Sequence, residues 1–275
     1  MAGRAVKAAL KRGVKAVAGW AGPLVAPRCP DTRILTYHSV GCRDHDMNVS
    51  LDAFKAQMAW LAEHCAVIPL SAAADSEPGV ALTFDDGYRD NLVNALPVLA
   101  DLGLPATVFV VPGRMGGMLD HDRDPTTSQL LSWEELDELE AAGIEAGAHT
   151  MTHRRLSALS SSEQREEIVR SAEVLSGHLG HTVRAFAYPF GAVTDYTALS
   201  MQLVREAGFD YAVSNRYGRT HPGGERWGLR RIWIDASDSL ATFQAKVTGR
   251  LDLLSVLDSA AGAAARRILN RALKA

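Results

Sequence analysis

The run Ala81-Leu82-Thr83-Phe84-Asp85-Asp86-Gly87-Tyr88 decides how the chain is read. Its apolar and β-branched start predicts a buried strand, which ends abruptly in two adjacent carboxylates and a glycine that permits a sharp exit. Two neighbouring carboxylates are costly to bury unless a metal or a cation neutralises one of them. Alone, Asp-Asp-Gly is also a common solvated turn. The choice depends on whether other strand ends supply metal ligands.

On either side of this run, strand and helix patterns alternate. Ile34–Ser39 reads as a strand, Leu51–Glu63 as a helix, Val67–Leu70 as a strand and Asn91–Leu102 as a helix closed by Gly103. Ala106–Val111 is a near-continuous apolar run, typical of a parallel strand buried on both faces. Ser132-Trp133-Glu134-Glu135 is a capping box that opens the next helix. Strands follow at Ile144–His149, Phe186–Phe190, Tyr211–Ser214 and Leu229–Asp235, with helices from Ser161 to Leu179 and from Asp195 to Ala207. This rhythm implies βαβ units and a parallel sheet or barrel, in which the chemistry gathers at the strands' C-terminal ends. The expected fold class is α/β, as one domain.

The chain has 275 residues, 47% of them hydrophobic and 22% charged, an ordinary balance for a globular protein. Its net charge of −3 is unevenly spread: residues 1–28 carry six basic side chains and residues 259–275 four, with no acid in either, which leaves −13 between them. An acidic body with two basic ends argues against a nucleic-acid partner. Residues 4–20 and 258–274 read as basic amphipathic helices that can touch an anionic membrane surface or pack on the body. The expected division is an N-terminal extension at 1–29, a catalytic body at 30–250 and a C-terminal extension at 251–275. Cys29, Cys42 and Cys65 lack CxxC spacing and are expected to be free thiols in a reducing compartment. The expected location is therefore cytoplasmic, with peripheral contact at the inner membrane face, and secretion is the lesser alternative.

Candidate metal ligands lie elsewhere in the chain. His149-Thr150-Met151-Thr152-His153 offers two imidazoles four residues apart at the end of a strand. Joined to one carboxylate of the Asp pair, they make a His-His-Asp set with open positions for water and substrate. A third stretch, Arg184-Ala185-Phe186-Ala187-Tyr188-Pro189-Phe190-Gly191, places an arginine before a strand and a turn after it. Arg184 is a candidate to orient a carboxylate, and the N–H near Tyr188 a candidate to stabilise an oxyanion.

In that order the three motifs resemble the polysaccharide deacetylase family with the NodB homology domain, carbohydrate esterase family 4, over about residues 30–250. The resemblance implies a distorted (β/α) barrel with incomplete repeats. It also implies hydrolytic N-deacetylation of N-acetylhexosamine units, in a polysaccharide or a lipid-linked glycan precursor, by one divalent metal ion, zinc in the first instance, with cobalt, nickel or manganese as alternatives. By the same resemblance Asp86, His149 and His153 bind the metal and Asp85 is the general base. The family's late Leu-x-x-His acid is missing, since no histidine follows His221. Tyr37-His38 resembles the early Tyr-His segment of exopolysaccharide deacetylases acting on poly-N-acetylglucosamine, which makes His38 the candidate acid. Trp233 is a candidate wall of the acetyl pocket, Tyr88 a candidate substrate contact, and Arg231 and Asp235 are candidates to tune the acid. Two other readings are a hydrolase of a non-sugar amide or cyclic ureide, and a non-catalytic carbohydrate-binding protein.

Overall fold

The computed structural model describes residues 31–253 and 255, except 42–44, 123, 125 and 222. The two basic terminal helices expected from sequence, at 4–20 and 258–274, lie outside these residues. The barrel unit reaches past the expected boundary at 250, because Leu251 is buried and Asp252 pairs with Arg33 at 2.8 and 2.9 Å.

The strands are β1 (Thr32–Tyr37), β2 (Ser39–Val40), β3 (Asn48–Val49), β4 (Gly79–Phe84), β5 (Thr107–Val110), β6 (Glu145–Ala148), β7 (Ala185–Ala187), β8 (Tyr211–Tyr217) and β9 (Leu229–Trp233). Seven of them close a barrel in the order β1-β4-β5-β6-β7-β8-β9, and β2 with β3 forms a separate two-stranded sheet. Every barrel pairing is parallel, and β9 returns to β1 with Leu35 opposite Ile232 and Thr36 opposite Trp233. This is the (β/α) barrel with fewer than eight repeats that was expected. Parallel closure sends all seven C-terminal strand ends to one rim.

Period-two alternation divides the core. Ile34, Ala81, Phe109, Ala185, Ala187, Tyr211, Val213 and Leu229 form one buried cluster inside the barrel. The alternate residues, among them Leu35, Leu82, Val108, Phe186, Ala212 and Ile232, join the larger cluster beneath the helices. The Phe109 ring can cross the lumen only because residue 147 is glycine: a Cβ there would stand 2.4 Å from that ring.

Ser132 and Glu135 close the expected capping box on the helix Trp133–Ala141. The stretch expected as one helix at 91–102 opens with a π-helical turn, Asn91–Ala95, before the α-helix Leu96–Leu102. Val67–Leu70 does not form the expected strand. Val67 makes an isolated bridge to Val80, and the chain then enters the helix Leu70–Ala74. The cysteine reading is corrected as well, for Cys65, at the end of the helix Leu51–His64, is disulfide-bonded. Pairing depends on Cα separation in space, which sequence spacing does not report. Among the described residues no helix is long and apolar enough to cross a membrane.

Candidate active site

Adjacent side chains on a strand face opposite ways. Along β4, Ala81 and Thr83 point inward, so Asp85 continues into the lumen while Asp86 should turn away from it. Instead Asp86 takes a left-handed φ of 74° and Gly87 one of 71°, and the chain doubles back so that both carboxylates reach one cavity. Thr150 and His153 after β6 and Phe190 after β7 are also left-handed, with φ of 63°, 65° and 62°. Left-handed non-glycine residues cost free energy and gather where a site needs particular vectors. Four of the five in the described chain lie in the three motifs.

His149 and His153 point their Nε2 atoms at Asp86 Oδ1, at 3.5 and 3.2 Å. One donor atom from each residue lies within 4.8 Å of the other two, and all three side chains are at most 7% exposed. His149 Nδ1 lies 2.8 Å from the Ala187 carbonyl, which fixes the tautomer and leaves Nε2 with its lone pair forward. Burial is the main influence on His149 and pushes its pKa down to about 4, so the imidazole is neutral, the form a metal requires. For Asp86 burial is the largest influence and acts upward, but the His153, His38 and His149 imidazoles together outweigh it and hold the carboxyl far below its ordinary range. Asp86 Oδ1 is nonetheless buried without a hydrogen-bond partner, with His153 Nε2 3.2 Å away. An orphaned carboxylate oxygen facing two imidazole Nε2 atoms fits a divalent cation of the zinc, cobalt or nickel type.

Glu167, on the helix Ser161–Leu179 and 5% exposed, was not recognised from sequence. It anchors the His149–His153 turn by accepting from the Thr152 N–H at 2.8 Å and from the Thr152 hydroxyl, while its own carbonyl accepts from the Met151 N–H at 2.9 Å.

Asp85 is fully buried and is held by Arg231, not by Arg184. The Arg231 guanidinium grips both oxygens, Nη1 to Oδ1 at 2.7 Å and Nη2 to Oδ2 at 2.6 Å. It is braced in turn by Ser214 O at 3.0 Å, Thr83 Oγ1 at 3.1 Å and Asn215 Oδ1 at 2.7 Å. Burial is the largest influence on the Asp85 carboxyl and acts upward, but the charge and hydrogen bonds of Arg231, with His149 and His38, together lower its pKa and keep the group ionised. Arg184 precedes β7 and so stands on the opposite rim, 67% exposed and paired with Asp210 at 2.7 Å.

His38 follows β1 on the same rim as the metal-type set, 6% exposed, with Nε2 3.9 Å from Asp85 Oδ2. Burial lowers its pKa against the attraction of both aspartates. Trp233 shares a face with Arg231 and lies in register with Thr36, and Lys246 Nζ holds its carbonyl at 2.5 Å. Asp235 accepts from the Ser237 N–H at 2.9 Å and takes part in the turn after β9.

Two expectations are corrected. The Tyr188 N–H is already engaged, donating to Val213 O at 3.2 Å, and its hydroxyl donates to Trp227 O at 2.8 Å. Two residues on, the Phe190 N–H makes no hydrogen bond among the described residues, and the Phe190 ring lies 5.0 Å from that of His153. Tyr88 is 3% exposed, packed with Val111, Leu119 and Leu130, and its hydroxyl donates to Asp122 Oδ2 at 2.9 Å. It therefore pins the loop over the rim instead of meeting substrate. His121 on that loop, not singled out from sequence, lies 5.6 Å from the His153 ring.

Fold and site define a barrel hydrolase with a two-histidine, one-carboxylate centre beside a second ionised carboxylate. The chain belongs to the polysaccharide deacetylase family, whose model matches residues 72–212 and whose members hydrolyse carbon–nitrogen bonds. It is 27% identical over 223 residues to YxkH of Bacillus subtilis (strain 168), a presumptive polysaccharide deacetylase, covering 78% of this chain and 75% of that one. It is 24% identical over 204 residues to the poly-β-1,6-N-acetyl-D-glucosamine N-deacetylase of Staphylococcus aureus (strain MRSA252), covering 68% of each. Among solved structures, IcaB from Ammonifex degensii superposes with a TM-score of 0.69 at 25% identity, over 80% of this chain and 98% of that one.

Proposed function

We propose that the protein is a metal-dependent deacetylase of N-acetylhexosamine units in a polysaccharide, with poly-β-1,6-linked N-acetylglucosamine as the first substrate to test. The observation that carries this reading is the Asp pair: Asp86 faces His149 and His153, while Asp85 stays ionised without serving as a ligand. Asp86, His149 and His153 would hold the ion, which when bound supplies a Lewis acid to the substrate carbonyl. Asp85 Oδ2 takes the proton of the attacking water, because it is the buried base facing His38 across the cavity. The Phe190 N–H stabilises the oxyanion of the tetrahedral intermediate. His38 Nε2 then delivers a proton to the departing nitrogen, and the C–N bond breaks to give acetate and a free amine.

The substrate class is supported by the printed activity of the Staphylococcus aureus relative. The disulfide at Cys65 favours an oxidising compartment over the cytoplasmic one expected from sequence. A purely carbohydrate-binding protein has no use for the buried Asp85–Arg231 pair, whose desolvation is expensive. The test is acetate release, with bound metal quantified, from a panel of N-acetylated glycans and non-sugar amides. Acetate from the β-1,6 polymer is the expected result. Metal bound with no acetate from any glycan would move the assignment to a non-sugar amide or to binding alone.

A further inference from the structure

The segment that carries His38 leaves the barrel rim between β1 and β2, and its irregular backbone needs partners outside the sheet. Beyond the short β2–β3 ladder and the Ser39 hydroxyl's bond to Asn48 Oδ1 at 3.0 Å, they come from one place. Asn91, 2% exposed, donates from Nδ2 to the His38 carbonyl at 2.8 Å and to Asp90 Oδ1 at 3.1 Å. Asp90 accepts the Val40 N–H at 3.1 Å and the Ser39 hydroxyl. Asn94 Nδ2 donates to the Val40 carbonyl at 2.7 Å. Three side chains thus grip three consecutive residues, 38 to 40.

All three belong to the segment that leaves Asp85-Asp86-Gly87. Asp90 immediately precedes the π-helical turn Asn91–Ala95, and the Asn91 N–H returns to the Tyr88 carbonyl at 2.9 Å. π-Helical turns are rare and concentrate at functional sites. This one takes up the chain directly after the left-handed turn at Asp86 and Gly87. The strand end that sets Asp85 and Asp86 therefore also sets the backbone of His38, 53 residues away from Asn91 in sequence.

We propose that Asn91, backed by Asp90 and Asn94, is a positioning residue that fixes His38 Nε2 against Asp85, so that acid and base are held by one piece of chain. The inference rests on the reading of His38 as the acid. Asn91 itself touches neither substrate nor ion, and its effect is transmitted through the His38 carbonyl. Losing that hydrogen bond lets the imidazole drift while the metal-type set, built on β4 and β6, stays in place.

The test is a double-mutant cycle on acetate release by the full metal-loaded chain, using wild type, Asn91→Ala, His38→Ala and the double variant. Asn91→Ala should lower kcat by about 10- to 100-fold, the scale of a misplaced catalytic group, with KM and metal stoichiometry little changed. In the His38→Ala background the same substitution should cost less than about two-fold. An equal loss in both backgrounds would make Asn91 a structural residue and overturn the inference alone. Near-normal turnover by His38→Ala would remove the acid assignment and the inference with it. If Asn91→Ala does not fold, the half-buried Asn94→Ala takes its place in the cycle, with the same outcomes.

Discussion

Replacing Arg231 with methionine is the sharpest perturbation of this site, because it removes five hydrogen bonds and leaves one charge stranded. The five acceptors are Asp85 Oδ1 and Oδ2, Thr83 Oγ1, Ser214 O and Asn215 Oδ1, all within 3.1 Å. Arg231 and Asp85 are 0% and 1% exposed at their side chains, so water does not compensate. Removing one partner of such a buried pair costs about 3–5 kcal/mol, a large share of the roughly 5–15 kcal/mol that holds a domain folded. For a domain of this size that is a fall in melting temperature of roughly 2–4 °C per kcal/mol. Asp85 would then meet the raising effect of burial without its cation and sit protonated, unable to act as a base. Turnover should fall by about 10²- to 10⁴-fold, the usual contribution of general base catalysis. Arg231→Lys keeps the charge and should fold better while still losing most activity, because one ammonium cannot grip both oxygens. The control is Arg184→Ala. Its pair with Asp210 is 67% and 43% exposed, so both stability and turnover should stay close to wild type. Thermal melts and acetate-release kinetics on the three variants read the result. Normal turnover by Arg231→Met, or a large loss from Arg184→Ala, would refute the assignment of the base's partner.

Glu167→Ala should loosen the turn between the two histidines, costing about 1–3 kcal/mol of stability and about 10- to 100-fold in metal affinity by chelator competition. Wild-type affinity would show that the turn holds itself. Gly147→Ala should destabilise the barrel by about 1–3 kcal/mol in denaturant unfolding, since the new methyl meets the Phe109 ring, and an unchanged midpoint would mean the ring yields freely. Alkylation without reductant, read by mass spectrometry, should find one reactive thiol among the three cysteines, whereas three would contradict the disulfide at Cys65.

Much of the fold was legible because parallel strands buried on both faces advertise themselves, and because the three motifs fall at strand ends. The metal-type set was legible for the same reason: Asp86 and His149 lie within two residues of a strand end, and His153 follows in the turn after β6. The partner of Asp85 was misassigned, yet the signal was present. Arg184 precedes its strand and so belongs on the rim opposite the chemistry. Arg231 stands two residues after the inward-facing Leu229 and must point into the lumen. The N–H near Tyr188 expected as oxyanion donor becomes, in the proposed mechanism, that of Phe190, since the strand ladder uses the Tyr188 N–H and the left-handed turn frees that of Phe190. From sequence Tyr88 reads as a substrate contact, because a tyrosine beside the Asp pair gives no sign of its burial under the loop. Glu167 and Asn91 carried no local signal at all. Each acts on a residue 15 or 53 positions away, a distance only the fold closes.

The central claim is that Asp85 and Asp86, adjacent in sequence, do different work. Metal stoichiometry measured by elemental analysis on purified Asp86→Asn and Asp85→Asn, alongside acetate release, tests it most directly. Asp86→Asn should lose both metal and activity, while Asp85→Asn should retain about one equivalent of metal and lose activity alone. Equal loss of metal in both variants, or activity surviving in Asp85→Asn, would contradict it.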